Sequence, residues 1–158
     1  MLNNLEGKVF DNGLYKVLDK KSSIDALVRL QKLGISSAIN LNPVIFGLDW
    51  LGRYYAYDVN DSSYTTLFDI VEAATWKAEG TVDFFHNTIL TENNRDLLDY
   101  TLFLEWHKKS PTPIFFDKCV SLKLPFFFGG EYEVNNMELS DIDVVWSFNV
   151  GLSGGFEG

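Results

Sequence analysis

Two carboxylate pairs are the residues of this chain best placed to do chemistry. Asp141 and Asp143 stand two apart in Ser140-Asp141-Ile142-Asp143-Val144, and Glu131 and Glu133 stand two apart around Tyr132. On a β-strand, side chains at i and i+2 share one face about 7 Å apart, a spacing that suits general acid and base work on a glycoside. The same pattern arises wherever a sheet turns a polar face to water, and a catalytic acid needs a desolvated cleft to raise its pKa. The solvated face is the reading preferred here. It makes these four acids, with Tyr54, Tyr55 and Asp58, candidates for contact with a partner rather than for catalysis.

Other reactive side chains carry less. His86 and His107 lie twenty-one residues apart with no Cys pair between them, so no metal-ligand spacing is present. His107 near a helix C-terminus favours the dipole, and His86 reads as a hydrogen-bonded packing residue. Cys119 is the single cysteine, which excludes an internal disulfide and suits a small buried hydrophobe. No Gly-x-Ser-x-Gly elbow occurs, and Gly129-Gly130 runs into Glu131 and Glu133 rather than a Lys-Ser or Lys-Thr pair. That is a turn, not a phosphate cradle. No catalytic, cofactor or metal residue is assigned, and the chain is expected not to be an enzyme. Arg53, flanked by Asp49 and Asp58, is expected in a structural ion pair. Trp50, Trp76, Trp106 and Trp146 are explained as core, with one or two as exposed interface anchors.

Elements must position these groups. Asp11-Asn12-Gly13 signals a turn between two short strands over 8–18. Ser22-Ser23-Ile24-Asp25 caps a helix that turns Ile24, Leu27, Val28, Leu30 and Leu33 to the core and stops at Gly34. From Ala38 to Ile70 the pattern predicts strands, with Gly52 taking a positive φ in the 49–53 turn and an antiparallel meander as the result. Helices follow, one or two turns over 81–86 and a longer one over 94–109 that Pro111 and Pro113 terminate. Strands return over 122–128 and 140–150, the last with Ile142, Val144, Trp146 and Phe148 on its apolar face. The expectation is a single α+β domain over 1–150, a mainly antiparallel sheet of about five to seven strands with helices packed on one face, and a flexible Gly-rich tail over 151–158.

Apolar residues make up 46% of the 158, enough for one packed core, which excludes intrinsic disorder. A formal charge of −9 argues against a nucleic acid partner, because phosphate binding needs clustered Lys and Arg. It permits a basic partner, and it also serves plain solubility. The N-terminus lacks the basic start and apolar run of a signal peptide, and no apolar stretch reaches the ~20 residues of a membrane span, so a cytoplasmic location is expected.

The segment Phe46-Gly47-Leu48-Asp49-Trp50-Leu51-Gly52-Arg53-Tyr54-Tyr55-Ala56-Tyr57-Asp58 resembles a bacterial family of immunity-type domains found with type VI secretion effectors, which includes the immunity partner of a DNase toxin. Gly13-Leu14-Tyr15-Lys16-Val17 precedes it. Phe85-His86-Asn87, Lys123-Leu124-Pro125-Phe126-Phe127-Phe128-Gly129-Gly130, Asn136-Met137-Glu138, Asp141-Ile142-Asp143-Val144 and Trp146 follow in family-like order. The Phe-Phe-Gly-Gly segment is similar to the Phe-Leu-Gly-Gly turn of the broad SUKH-type group. Phe128, Val145 and Met137 depart from the pattern by apolar exchanges that a core tolerates. The resemblance implies an immunity protein that occludes a cognate toxin, a nuclease with a basic cleft among the options, and it hands over no catalytic residue. Two other readings stay open: a general intracellular interaction or regulatory module, and a small hydrolase using a carboxylate pair.

Overall fold

The computed structural model describes residues 4–92 and 94–154. Six strands lie side by side in chain order, each antiparallel to the next: β1 (Val9–Phe10), β2 (Tyr15–Val17), β3 (Val44–Asp49), β4 (Tyr54–Tyr57), β5 (Tyr64–Asp69) and β6 (Ala74–Glu79). A second, two-stranded sheet pairs β7 (Lys118–Leu122) with β8 (Met137–Asp141). The helices are α1 (Lys20–Lys32), α2 (Ser36–Leu41), α3 (Val82–Phe84), α4 (Leu90–Glu92), α5 (Asn94–Leu97), α6 (Tyr100–Lys109) and α7 (Ile142–Ser153). Strands and helices do not alternate, so the fold is α+β with a mainly antiparallel sheet, in one domain.

Side chains alternate across the sheet and give each face its own covering. Lys16, Leu48, Tyr54 and Phe68 align across four strands. On that face Trp146 of α7 stacks on Tyr54 with centroids 5.4 Å apart, and Arg29 of α1 donates to the Tyr54 hydroxyl. Tyr15, Gly47 and Tyr55 lie on the other face, where Phe85 tilts against both tyrosines. Gly47 has to be glycine, because an added Cβ would stand 2.1 Å from the Tyr15 hydroxyl. No helix among the described residues is long and apolar enough to cross a membrane.

Several elements differ from the sequence expectation. The strand expected over 140–150 is the helix α7. Its segment is rich in apolar residues, so Ile142, Val145, Trp146 and Val150 also fit a helical stripe. Tertiary contact decides between the two periods: Trp146 Nε1 donates to the Gly52 carbonyl at 2.9 Å, and Val144 and Phe148 are left exposed. Gly151 therefore continues a helix that runs to Ser153, and 155–158 of the expected tail lie outside the described residues. The strand expected over 122–128 ends at Leu122, since Pro125 has no N–H for a ladder and 126–128 close a single 3-10 turn at Gly129, φ +85°. Residues 36–41 are helical, not extended. The sequence expectation assigns no element to 74–79, which form β6, an edge strand whose Trp76 stays exposed opposite Leu67.

The helix cap also lies earlier than expected. Asp19 accepts from Ser22 N at 2.8 Å, and the core side of α1 is Ala26 and Leu30, with Ile24 and Val28 exposed. Finally, the helix expected over 94–109 is broken by Asp99 at φ +52°. Carbonyls that a continuous helix would keep for itself are taken by the turn between β3 and β4: Trp50 Nε1 donates to Leu98 O at 2.7 Å and Arg53 Nη2 to Leu97 O at 3.0 Å.

Candidate partner-binding face

The expected ion pair of Arg53 is present, with Asp49 but not with Asp58. Asp49 is fully buried and accepts four bonds, from Leu51 N, Arg53 N, Arg53 Nε at 2.6 Å and the Tyr55 hydroxyl at 2.8 Å. Asp58 instead closes its own turn by accepting from Asn60 N at 2.8 Å. The second carboxylate on Arg53 is Asp99, 3.2 Å from Nη2. Burial of the guanidinium opposes its charge, yet Asp49, with further help from Tyr55, Asp69 and Asp99, holds its pKa above the usual range. Where a metal would need converging ligands, Asp49 and Asp99 are bridged by a guanidinium. Among the described residues no cluster of three His, Cys, Asp or Glu side chains is placed to hold an ion.

Asp69 belongs to the same network and is the member with an unfavourable charge. Burial pushes its carboxyl up from 3.8 to about 6 against the pull of Arg53. Between those two values the folded state keeps a proton that the unfolded chain has released, so stability falls as pH rises from about 4 to about 6. Asp69→Asn keeps an Oδ1 acceptor for Val71 N and Glu72 N. It is expected to remove that slope and to raise stability at neutral pH by about 1–3 kcal/mol. Urea unfolding at about pH 4 and pH 7 reads it, and a slope unchanged in the variant places the titration elsewhere.

Asp99 carries the network to the surface. Its side chain is about a third exposed (36%) and lines a groove of about 540 Å³ with Asp96, Leu102, Glu105, Tyr132 and Glu133. Burial first, then Asp49 and Glu72, push the Asp99 carboxyl up against the opposing pull of Arg53. Tyr132 is shifted upward too, by burial and by Asp69 and Glu72. No Lys or Arg appears among the described lining residues. The groove is therefore a negative concavity with an aromatic wall.

Beside it stands a fixed aromatic loop. Phe126 meets Tyr132 edge to face at 5.8 Å. Phe126 is 46% exposed and Phe128 59%, with Leu124 exposed next to them. Asn136 holds the loop: its Oδ1 accepts from Leu124 N at 2.9 Å, and its Nδ2 donates to Leu124 O and Glu131 O, each at 3.0 Å. Gly130 allows the return, since a Cβ there would sit 1.7 Å from the Leu124 carbonyl oxygen. Exposed rings on a backbone this well bonded lose little entropy on binding, which is what an interface anchor requires.

The structure separates the residues singled out in the sequence. Glu133 lines the groove on a bend and Glu131 is exposed close by in the loop, neither of them on a strand. Tyr54 and Tyr55 are 2% and 1% exposed with both hydroxyls bonded, so they are core and not contact surface. Asp141 ends β8 and pairs with Lys118, while Asp143 opens α7 and pairs with Arg29. The shared strand face that would have made them an acid–base pair does not exist. Cys119 is fully buried, its thiol pushed up to about 12 by burial. His86 Nε2 bonds the Tyr15 hydroxyl at 2.9 Å, and His107 stacks on Phe103. Sequence reasoning missed Asp96, Asp99, Glu105, Tyr132 and Phe126, because the kink beside the three acids is bonded by Trp50 and Arg53, more than forty residues away, and the two rings come from a separate loop that Asn136 holds.

No family model and no curated protein matches this chain. Among solved structures it is similar to Atu4351 from Agrobacterium tumefaciens, with a TM-score of 0.57 at 13% identity, covering 89% of this chain and 68% of that one. At that identity the likeness shows the α+β fold and nothing beyond it.

Proposed function

We propose that this protein is an immunity-type binding protein that neutralises a basic toxin by occluding it, with the Asp99–Tyr132 groove and the Phe126–Phe128 loop as its contact face. One observation carries the reading: four carboxylates line a concavity, only Asp99 of them tied to a cation, the buried Arg53, directly beside aromatic rings held out into solvent. Charge of this kind speeds encounter with a basic cleft, and the rings supply the desolvated anchors that give most of the affinity. The resemblance of the 46–58 and 123–130 segments to type VI immunity domains points to a toxin as the partner, and to a cytoplasmic site of action.

A pull-down from the producing strain, with the natural chain and a Glu105→Lys/Glu133→Lys variant as baits, tests this. The natural chain is expected to recover one basic effector that is released as salt rises. The double reversal, on exposed side chains, is expected to leave the fold intact and to slow association about tenfold or more at low salt. Equal on-rates for the two baits remove the groove from the interface. Recovery of housekeeping proteins alone replaces the toxin with a regulatory partner.

A further inference from the structure

A cavity of about 320 Å³ opens where the β1–β2 hairpin meets the helical stretch after β6, at the lower end of the size range of small-molecule sites. Leu5, Phe10, Leu14, Val17, Leu90 and Leu98 form its apolar walls. Two backbone irregularities build it. Residues 85–89 make a wide π turn that brings His86 to the cavity. Opposite, Asp11, Asn12 and Gly13 take positive φ values of 48°, 59° and 102° in succession. Ile114 N donates to Asn12 O at 2.9 Å and helps fix that hairpin tip. Wide turns and costly φ values in non-glycine residues concentrate at binding sites, where surrounding structure enforces them.

The chemistry of the lining selects a ligand. His86 is held by Tyr15 through Nε2, and burial lowers its pKa, so it presents an uncharged ring. Asp11, exposed at the mouth, is the one charged side chain among the described lining residues. An anion entering here meets repulsion, and a cation meets its counter-charge. We propose that this cavity binds a small apolar amine, with one or two rings between the leucines and its protonated nitrogen at Asp11.

Three probes that share one ring system test the assignment on the full chain: tryptamine, indole and indole-3-acetate. Their binding is followed by NMR of the leucine and valine methyls. Tryptamine is expected to shift the Leu14, Val17, Leu90 and Leu98 methyls with a dissociation constant of about a millimolar or tighter. Indole should bind more weakly, and indole-3-acetate at least tenfold more weakly than tryptamine. Asp11→Asn, which tolerates a positive φ, should bring the three within about threefold of one another, and Leu90→Trp should abolish binding by filling the space. No shift of these methyls with any probe up to about 10 mM overturns the site. Indole-3-acetate binding as well as tryptamine overturns the role of Asp11 and the choice of an amine.

Discussion

Asp49→Ala is expected to cost about 3–5 kcal/mol, because it leaves the buried Arg53 guanidinium without its closest counter-charge. For a chain of this size that lowers Tm by roughly 6–20 °C. The physical reason lies in the acceptor count. Asp49 takes two backbone N–H groups of its own turn, the Arg53 Nε and the Tyr55 hydroxyl, all in a site closed to water. Replacing it orphans those donors, and Arg53 keeps only the partly exposed Asp99 and the Leu97 carbonyl as bonded partners among the described residues. Asp49→Asn with Arg53→Met should recover much of the loss, since Asn retains an acceptor for the two amides and no charge stays buried. A cost under about 1 kcal/mol for Asp49→Ala would mean that the network does not hold the turn. The consequence reaches the proposed binding face as well. Arg53 and Trp50 open the kink at Asp99, so a chain that survives the substitution should bind its partner less well although Asp49 is far from water.

Lys16→Met is expected to act in the opposite direction and stabilise the fold by about 3 kcal/mol at neutral pH. Lys16 is fully buried in β2, donates to Phe115 O at 3.2 Å, and has no carboxylate among the described residues within ion-pair distance. Burial lowers its pKa from 10.5 to about 8, with Cys119, Asp49 and Asp117 resisting the shift. Below about 8 both folded and unfolded chains hold the proton, so the full penalty of the buried charge is present at pH 7. Between about 8 and 10.5 the folded side chain becomes neutral while the unfolded one is still charged, and the penalty fades. The gap between Lys16→Met and the natural chain should therefore close as pH rises through that window. The gap is the quantity to follow, because Cys119 and the buried Tyr15, Tyr54 and Tyr55, all shifted upward, lower the stability of both proteins above about pH 9. Chemical denaturation at about pH 7 and pH 9 measures it. A variant less stable than the natural chain at pH 7 would show that the ammonium is better solvated than its burial implies.

Two unusual charges in one small core also bear on function. Arg53 is matched and Lys16 is not, and only the matched one connects to the surface groove. The 46–58 segment thus supports the proposed binding face from behind. Its Asp-Trp-Leu-Gly-Arg run contributes Asp49, Trp50 and Arg53 to the kink, and Gly52, at φ +81°, packs over Cys119.

How much of this was legible in the residues depends on the range of the interaction that decides each element. Turns announced themselves. The Asp11-Asn12-Gly13 turn forms where its residue types place it, and Gly34 and Gly52 adopt the positive φ that glycine alone takes freely, because that freedom is steric and local. The β3–β5 meander and the Asp49–Arg53 pair followed for the same reason, from neighbours a few residues apart. The sequence by itself also determined the α+β class and the acidity of the surface, which are sums over composition and pattern and need no partner. Tertiary structure alone decided the rest. The 142–153 segment carries strand and helix periods together, and the bond from Trp146 to Gly52, ninety-four residues away, accompanies the helix. The break at Asp99 exists because Trp50 and Arg53 take the carbonyls of Leu98 and Leu97. This break sets Asp96 and Asp99 beside Glu105 in one groove, which Tyr132 closes from the loop before β8. A site gathered by donors from a distant turn leaves no spacing in the chain to read, which is why the acids visible as pairs were mostly not the acids that converge.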